Sequence, residues 1–232
     1  MSAGKVLIIL SDGDKFPVHK SDGSVSQEDT GLFLTELAKP LGHILDAGYE
    51  VFASPSGKSP SVYPLSEFLL RQDQELLKRM ENENNIRSPR PFSSIPDGEL
   101  KSYAGVFILG GHAPISDHGD NPELGRILLH FHNEHKATAV ICHGPYALLP
   151  TKYAPNSNGF VYEGYKLTSW SDAEEIPVKV ESALAAEGAE VVSTTGNKLL
   201  DSVTVDREVL SASNPTAANT LGSKFVETLQ AS

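Results

Sequence analysis

Short runs of β-branched and apolar residues alternate along the chain with longer amphipathic stretches, and no other feature restricts the fold as much. Strands that are apolar on both faces must be covered on both faces. The pattern therefore predicts an α/β fold with a mostly parallel central sheet and helices on each side. Strands are expected at Val6–Leu10, Glu50–Ala53, Val106–Leu109, Ala139–Ile141, Lys166–Thr168 and Glu190–Ser193. A shorter pair, Val203–Asp206 and Glu208–Ser211, flanks a tight turn. Helices are expected from about Thr30 to Ala47, and at Leu65–Asn82, Pro122–His135, Pro177–Glu187 and Pro215–Gln230. In the first of these, Leu32, Phe33, Leu37, Leu41, Ile44 and Leu45 form the apolar face. Pro40 should bend it or leave a carbonyl without a donor. Asp12–Asp29 and Asn82–Pro96 read as polar connections. Neither resembles a linker between separate cores, so residues 1–232 are expected to form a single domain.

The formal net charge of −11 repels phosphate backbones and anionic lipid heads, which argues against nucleic acid or a membrane surface as partner. No apolar run approaches the roughly 20 residues needed to span a bilayer. No signal-peptide pattern precedes the strand-like run that begins at Lys5, so a cytoplasmic location is expected. The chain has 1 cysteine, which excludes an internal disulfide. A lone cysteine is more often a small buried hydrophobe than a nucleophile.

Its context changes that balance. In Ala137–Leu149 (ATAVICHGPYALL) an apolar strand runs into Cys142-His143-Gly144-Pro145, and a helical pattern follows. A strand-to-helix turn would present the cysteine at the carboxyl end of a central strand, where open α/β sheets place ligands. Helix N–H groups there favour thiolate. Gly144 is expected to let the chain turn sharply, bringing Cys142 and His143 to one cleft rather than to opposite faces. A second strand ends in Gly110-Gly111-His112, and paired glycines let backbone N–H groups approach a developing oxyanion. Glu36 falls at the boundary of its helix, where a glutamate more often reaches solvent; if desolvated, its pKa would rise and suit it to proton transfer. His130, His132 and His135 share a helix without the i, i+4 spacing of a zinc helix. His112, Asp117, His118 and Asp120 show no ligand spacing either, so no metal site is expected.

GGHA at Gly110–Ala113, AVICHGP at Ala139–Pro145 and TGLFLTELAKP at Thr30–Pro40 together resemble the PfpI-like cysteine superfamily (class I glutamine amidotransferase-like). More narrowly they resemble its heat-shock chaperone and glyoxalase III branch. The similarity continues through EGYKLTSWSDAEE (Glu163–Glu175) and SASNPTAANTLGSKF (Ser211–Phe225). The resemblance implies a flavodoxin-like sandwich, a homodimer, and conversion of methylglyoxal to lactate without glutathione or another cofactor. That is a glyoxalase III type lyase (lactate dehydratase) acting on a small dicarbonyl substrate. Carried over by residue, Cys142 is the nucleophile and His143 its partner. Glu175 is the triad acid by ungapped register, with Asp172 the rival. Glu36 hydrogen-bonds the thiol, and Gly110, Gly111 and the His143 backbone surround the oxyanion. Ala113 and Tyr146 depart from the family pattern, and the bulk of Tyr146 and Trp170 favours a small substrate. Three other readings stand beside this one: a stress-induced holdase chaperone whose client binding does not need Cys142, a protein deglycase or cysteine peptidase using the same thiol, and a redox sensor using Cys142.

Overall fold

The computed structural model describes residues 4–20, 22–47, 50–63, 65–66, 71, 74–82, 85–172, 179–192 and 201–231. In chain order the strands are β1 (Lys5–Ile9), β2 (Lys15–His19), β3 (Val25–Asp29), β4 (Glu50–Ser54), β5 (Arg90–Pro91) and β6 (Tyr103–Ile108). They continue as β7 (Ala137–Ile141), β8 (Lys166–Leu167), β9 (Glu190–Val191), β10 (Val203–Asp206) and β11 (Val209–Ala212). The helices are α1 (Leu34–Ala47), α2 (Gln74–Asn82), α3 (Asp97–Leu100), α4 (Ala113–Asp117), α5 (Pro122–Asn133), α6 (Val180–Ala186) and α7 (Ala218–Ala231). Among the described residues, seven strands form the main sheet in the order β10-β11-β7-β6-β1-β4-β5. All neighbours run parallel except β10 and β11.

Successive side chains of a strand leave opposite faces, and the two faces carry separate cores. Leu7, Ile9, Val106, Ile108 and Val140 pack with Leu124, Ile127 and Phe131 of α5. Val6, Ile8, Phe107, Ala139 and Ile141 pack with Leu37 and Leu41 of α1 and with Leu221 and Phe225 of α7. This is the expected mostly parallel sheet with helices on both sides. The chain leaves β1 toward β4 on one side and returns to β6 on the other, so a topological switch lies between β1 and β6. Ligands of open α/β sheets bind at such a point.

Four local expectations differ. The stretch Asp12–Asp29 contains an antiparallel hairpin, β2–β3. Its strands are largely exposed, and the polar residues that made it read as a connection face water. The first helix starts at Leu34 rather than Thr30. Leu32 is held extended, its N–H on the Ser61 carbonyl (2.8 Å) and its own carbonyl on the Tyr63 N–H (3.0 Å). Strands β8 and β9 pair with each other outside the main sheet. The segment after Cys142 is a 3₁₀ run, Gly144–Tyr153; Pro150 within it lacks the N–H that α-helical bonding would need. Of the expected helices at Leu65–Asn82 and Pro177–Glu187, residues 67–70, 72–73 and 177–178 lie outside the described residues. So does the expected stop at Gly48.

Helices α1 and α7 meet where Gly222 faces Pro40. A Cβ on Gly222 would lie 2.6 Å from Pro40 Cα and 3.1 Å from His43 Cδ2. Overpacking of this kind typically costs about 1–3 kcal/mol. Gly222→Val should therefore lower the denaturant midpoint, whereas Lys224→Ala on the exposed side of the same helix should leave it nearly unchanged. Equal midpoints for the two variants would remove the close crossing from the account.

Candidate active site

Strand β7 ends at Ile141, and the next residue carries the bend. Cys142 has φ 60, a left-handed conformation that non-glycine residues rarely adopt and that costs about 1–3 kcal/mol. Its N–H donates to the Ala212 carbonyl at 2.9 Å, and its carbonyl accepts from the Trp170 N–H at 2.9 Å. The sharp turn is thus at the cysteine and not at Gly144, as the sequence had suggested. Gly144 serves a different need: a Cβ there would lie 2.9 Å from the Leu109 carbonyl oxygen and 3.0 Å from that of Ile108.

The bend brings Cys142 and His143 to one side, with Sγ 3.4 Å from His143 Nδ1. Both residues are nearly sealed, at 4% and 3% exposure. The His143 ring lies between Trp170, roughly parallel at 5.9 Å, and His112 at 4.8 Å.

Glu36 from the first turn of α1 comes to the same point and is fully buried. Gly110 allows this approach, because a Cβ there would lie 2.6 Å from Cys142 Cβ and from Glu36 Oε2. Gly111 adopts φ +80. Burial pushes the Glu36 pKa up to about 8, offset only in part by the Cys142 thiol and the N–H groups of Gly110 and Gly111. Burial also pushes the Cys142 thiol up, and a charge on Glu36 pushes it further; the N–H groups of Gly111 and His143 pull it down. Two acids this close do not ionise independently. With Glu36 protonated the electrostatic penalty on the thiolate disappears, and the carboxyl can donate to sulfur instead.

A cleft of about 440 Å³ is lined by Phe16, Glu28 and Asp29 of the β2–β3 hairpin with Tyr63 and Leu65. Phe16 stacks on the His112 ring at 4.6 Å and 10°, and Tyr63 meets that ring edge-on at 6.1 Å. The sequence offered no signal for Phe16, in a stretch read as a polar connection, or for Tyr63, which lies between the expected strand ending at Ala53 and the expected helix starting at Leu65. Tyr146 does not limit this cleft. It lies against Gly119 and lines a separate groove with Asp120, Lys152 and Tyr153.

The remaining sequence-derived residues fall as follows. Glu175 lies outside the described residues. The Asp172 carboxylate accepts from the N–H groups of Glu181 and Ser182 at 2.9 Å each, and from the Ser182 hydroxyl. It therefore caps α6 from upstream. Asp117 accepts from Ser11 Oγ and the Asp12 N–H, and His118 Nε2 lies 3.1 Å from the Leu10 carbonyl oxygen. His132 pairs with Glu208 at 2.9 Å, and His130 lies edge-on to Phe131.

A bent, buried thiol beside an imidazole and a carboxyl, on a doubly covered parallel sheet, marks an α/β protein with a cysteine-centred candidate site. Residues 88–228 match the DJ-1/PfpI family, and the chain belongs to that family. Over 243 residues it is 22% identical to the protein/nucleic acid deglycase HchA of Pseudomonas aeruginosa, covering 98% of this chain and 82% of that protein. The HchA deglycase of a bovine Staphylococcus aureus strain is 25% identical over 206 residues, covering 83% and 70%. Among solved structures, glyoxalase III from Candida albicans superposes with a TM-score of 0.79 at 20% identity, covering 98% of each chain. The Rapid Encystment Protein of Francisella tularensis gives 0.82 at 22% identity, covering 97% and 99%.

The raised pKa of Glu36 makes a stability prediction. The folded state holds its proton more tightly than the unfolded chain, whose ordinary value is 4.5. The parent must therefore lose stability as pH rises from that value to about 8, by at most about 1.4 kcal/mol per pH unit. Glu36→Gln, which cannot ionise, should gain on the parent progressively across this window in denaturant melts. Parallel stability curves would mean that Glu36 ionises as it does in solution.

Proposed function

We propose that this protein is a glutathione-independent glyoxalase that converts methylglyoxal to lactate through Cys142. The observation that carries the reading is the thiol itself. It lies 3.4 Å from an imidazole nitrogen and beside a buried carboxyl whose pKa of about 8 suits proton transfer near neutral pH. A thiol fixed in the protein takes the part that a soluble thiol cofactor would play.

Cys142 sulfur adds to the aldehyde carbon, the carbonyl π bond breaks, and the thiol proton passes by way of His143 to the aldehyde oxygen. The product is a hemithioacetal. Glu36 or His143 then removes the hydrogen from that carbon and returns it to the adjacent one through an enediol. This leaves the thioester of lactate. Water cleaves the carbon–sulfur bond, and the sulfur recovers its proton. One carbon is oxidised as its neighbour is reduced, so no external oxidant is required. The Gly111 and His143 N–H groups, which pull the thiol pKa down, are suited to hold the oxyanion, each such donor being worth about 3–4 kcal/mol. Glu175 is the acid assigned to orient His143, since the Asp172 carboxylate is engaged at α6.

A deglycase acting on carbonyl adducts is the second reading, supported by the HchA relatives. It would use the same thiol addition but begin from an amine or guanidine adduct. The two separate in an amine-free buffer. The parent should form lactate from free methylglyoxal without glutathione, and Cys142→Ser should form none above background. Lactate released only from a preformed N-acetylarginine adduct would favour the deglycase. Full turnover by Cys142→Ser would exclude both.

A further inference from the structure

The chain between β8 and α6 is fastened on both sides of Trp170. Upstream, the Thr168 N–H donates to Ser211 Oγ at 2.9 Å. Ser211 is buried in β11, next in the chain to Ala212, whose carbonyl accepts the Cys142 N–H. Downstream, Asp172 is engaged through every polar group it has. Its carboxylate accepts from the N–H groups of Glu181 and Ser182 at 2.9 Å each. Its own N–H donates to Glu181 Oε2 at 3.2 Å, and its carbonyl accepts from Lys179 Nζ at 2.7 Å. Lys179 stands at the N-cap position of α6 without a side-chain cap bond, so Asp172 meets the first N–H groups of this helix instead. The helix is itself fixed, because Val180 and Leu184 are buried in the core that holds Leu148 and Leu149. Trp170 hangs between these anchors, its N–H on the Cys142 carbonyl at 2.9 Å and its ring roughly parallel to that of His143. A segment pinned at one end can pivot about that end. Pinned at both, it holds the indole in one place.

We propose that Asp172 is a positioning residue for the Cys142–His143 pair. By tying the chain just beyond Trp170 to α6, it holds the indole against the His143 ring and preserves the hydrogen bond that fixes the Cys142 bend. The inference rests on the reading of that pair as the reacting groups, and it is the same for a glyoxalase or a deglycase. The carboxylate acts through its hydrogen bonds to backbone N–H groups, not through its charge on the imidazole. An asparagine accepts at such a position about as well as an aspartate; an alanine cannot. With the downstream anchor gone, the indole can tilt away from His143, and the imidazole is then free to leave its 3.4 Å contact with Sγ. A misplacement of about 1 Å caused by a residue remote from the chemistry is enough to cost about 100-fold in rate.

The test compares the full chain with Asp172→Ala, Asp172→Asn and Glu181→Ala, all at a temperature where circular dichroism shows them folded. The chain has 1 tryptophan, so its emission reports Trp170 alone. Asp172→Ala should shift that emission to the red and raise its quenching by acrylamide. The pH midpoint for labelling of Cys142 by iodoacetamide should rise, whereas a change of access alone scales the rate at every pH and leaves the midpoint in place. The kcat for lactate formation should fall by about 10- to 100-fold with KM little changed. Asp172→Asn should stay close to the parent in all of these. Glu181→Ala removes the acceptor of the Asp172 N–H and should move them in the same direction by less, which decides the matter should Asp172→Ala not fold. Parent-like emission and labelling in both alanine variants overturn the proposal. So does an Asp172→Asn variant as impaired as Asp172→Ala, because charge and not anchoring would then be at work. A folded, reduced parent that forms no lactate sinks the glyoxalase reading, while emission and labelling, which need no substrate, still decide this inference.

Discussion

The backbone of Cys142 is held in a left-handed bend by two partners from distant parts of the chain, and the site exists because of that clamp. Ala212 in β11 accepts its N–H, and the N–H of Trp170 donates to its carbonyl. Each such bond contributes about 1 kcal/mol net, enough together to offset much of a strained φ. In a regular strand His143 would face the other side of the sheet. Trp170 acts twice, since its backbone fixes the bend and its ring lies against His143. Loss of this segment would therefore release the thiol and its imidazole together.

Glu36 depends on packing further away. It sits in the first turn of α1, and α1 is fixed at one end by the Leu32 contacts to Ser61 and Tyr63 and along its length by α7. Pro40 brings no N–H to the Glu36 carbonyl four residues back, and the same proline forms the close crossing with Gly222. A carboxyl buried in this way is costly when charged. The protein tolerates it because the proton stays on over most of the neutral range. Desolvation thus withholds charge from the resting site and, on the proposed reaction, sets a proton-transfer group near neutral pH.

The main sheet was legible because its central strands are apolar on both faces and so read as unbroken runs. Cys142, His143, Gly110 and Gly111 were legible because they follow such runs directly. The hairpin was not. Pro17 and its polar neighbours lie in exposed strands, and exposed strands carry no hydrophobic pattern to read. The bend was assigned to Gly144 because glycine is the residue that ordinarily takes a positive φ. A cysteine forced into that region by its hydrogen-bond partners leaves no trace in composition. The depth of Glu36 was equally hidden. Helical periodicity placed it at a boundary, and only the approach allowed by Gly110 carries it inside.

On the proposed reaction the hairpin also bears on what can enter. Glu28 and Asp29 stand at the cleft, with Asp29 paired to Lys15 at 2.6 Å, while Phe16 from the same hairpin lies over His112. An anionic substrate approaching this mouth would meet Glu28 and the field of a chain with net charge −11. An uncharged dicarbonyl would meet neither as a barrier. On the proposed reaction the substrate is neutral and the product is a carboxylate. The charge that does not hinder entry of the first therefore favours departure of the second, and it does so without any group that must move.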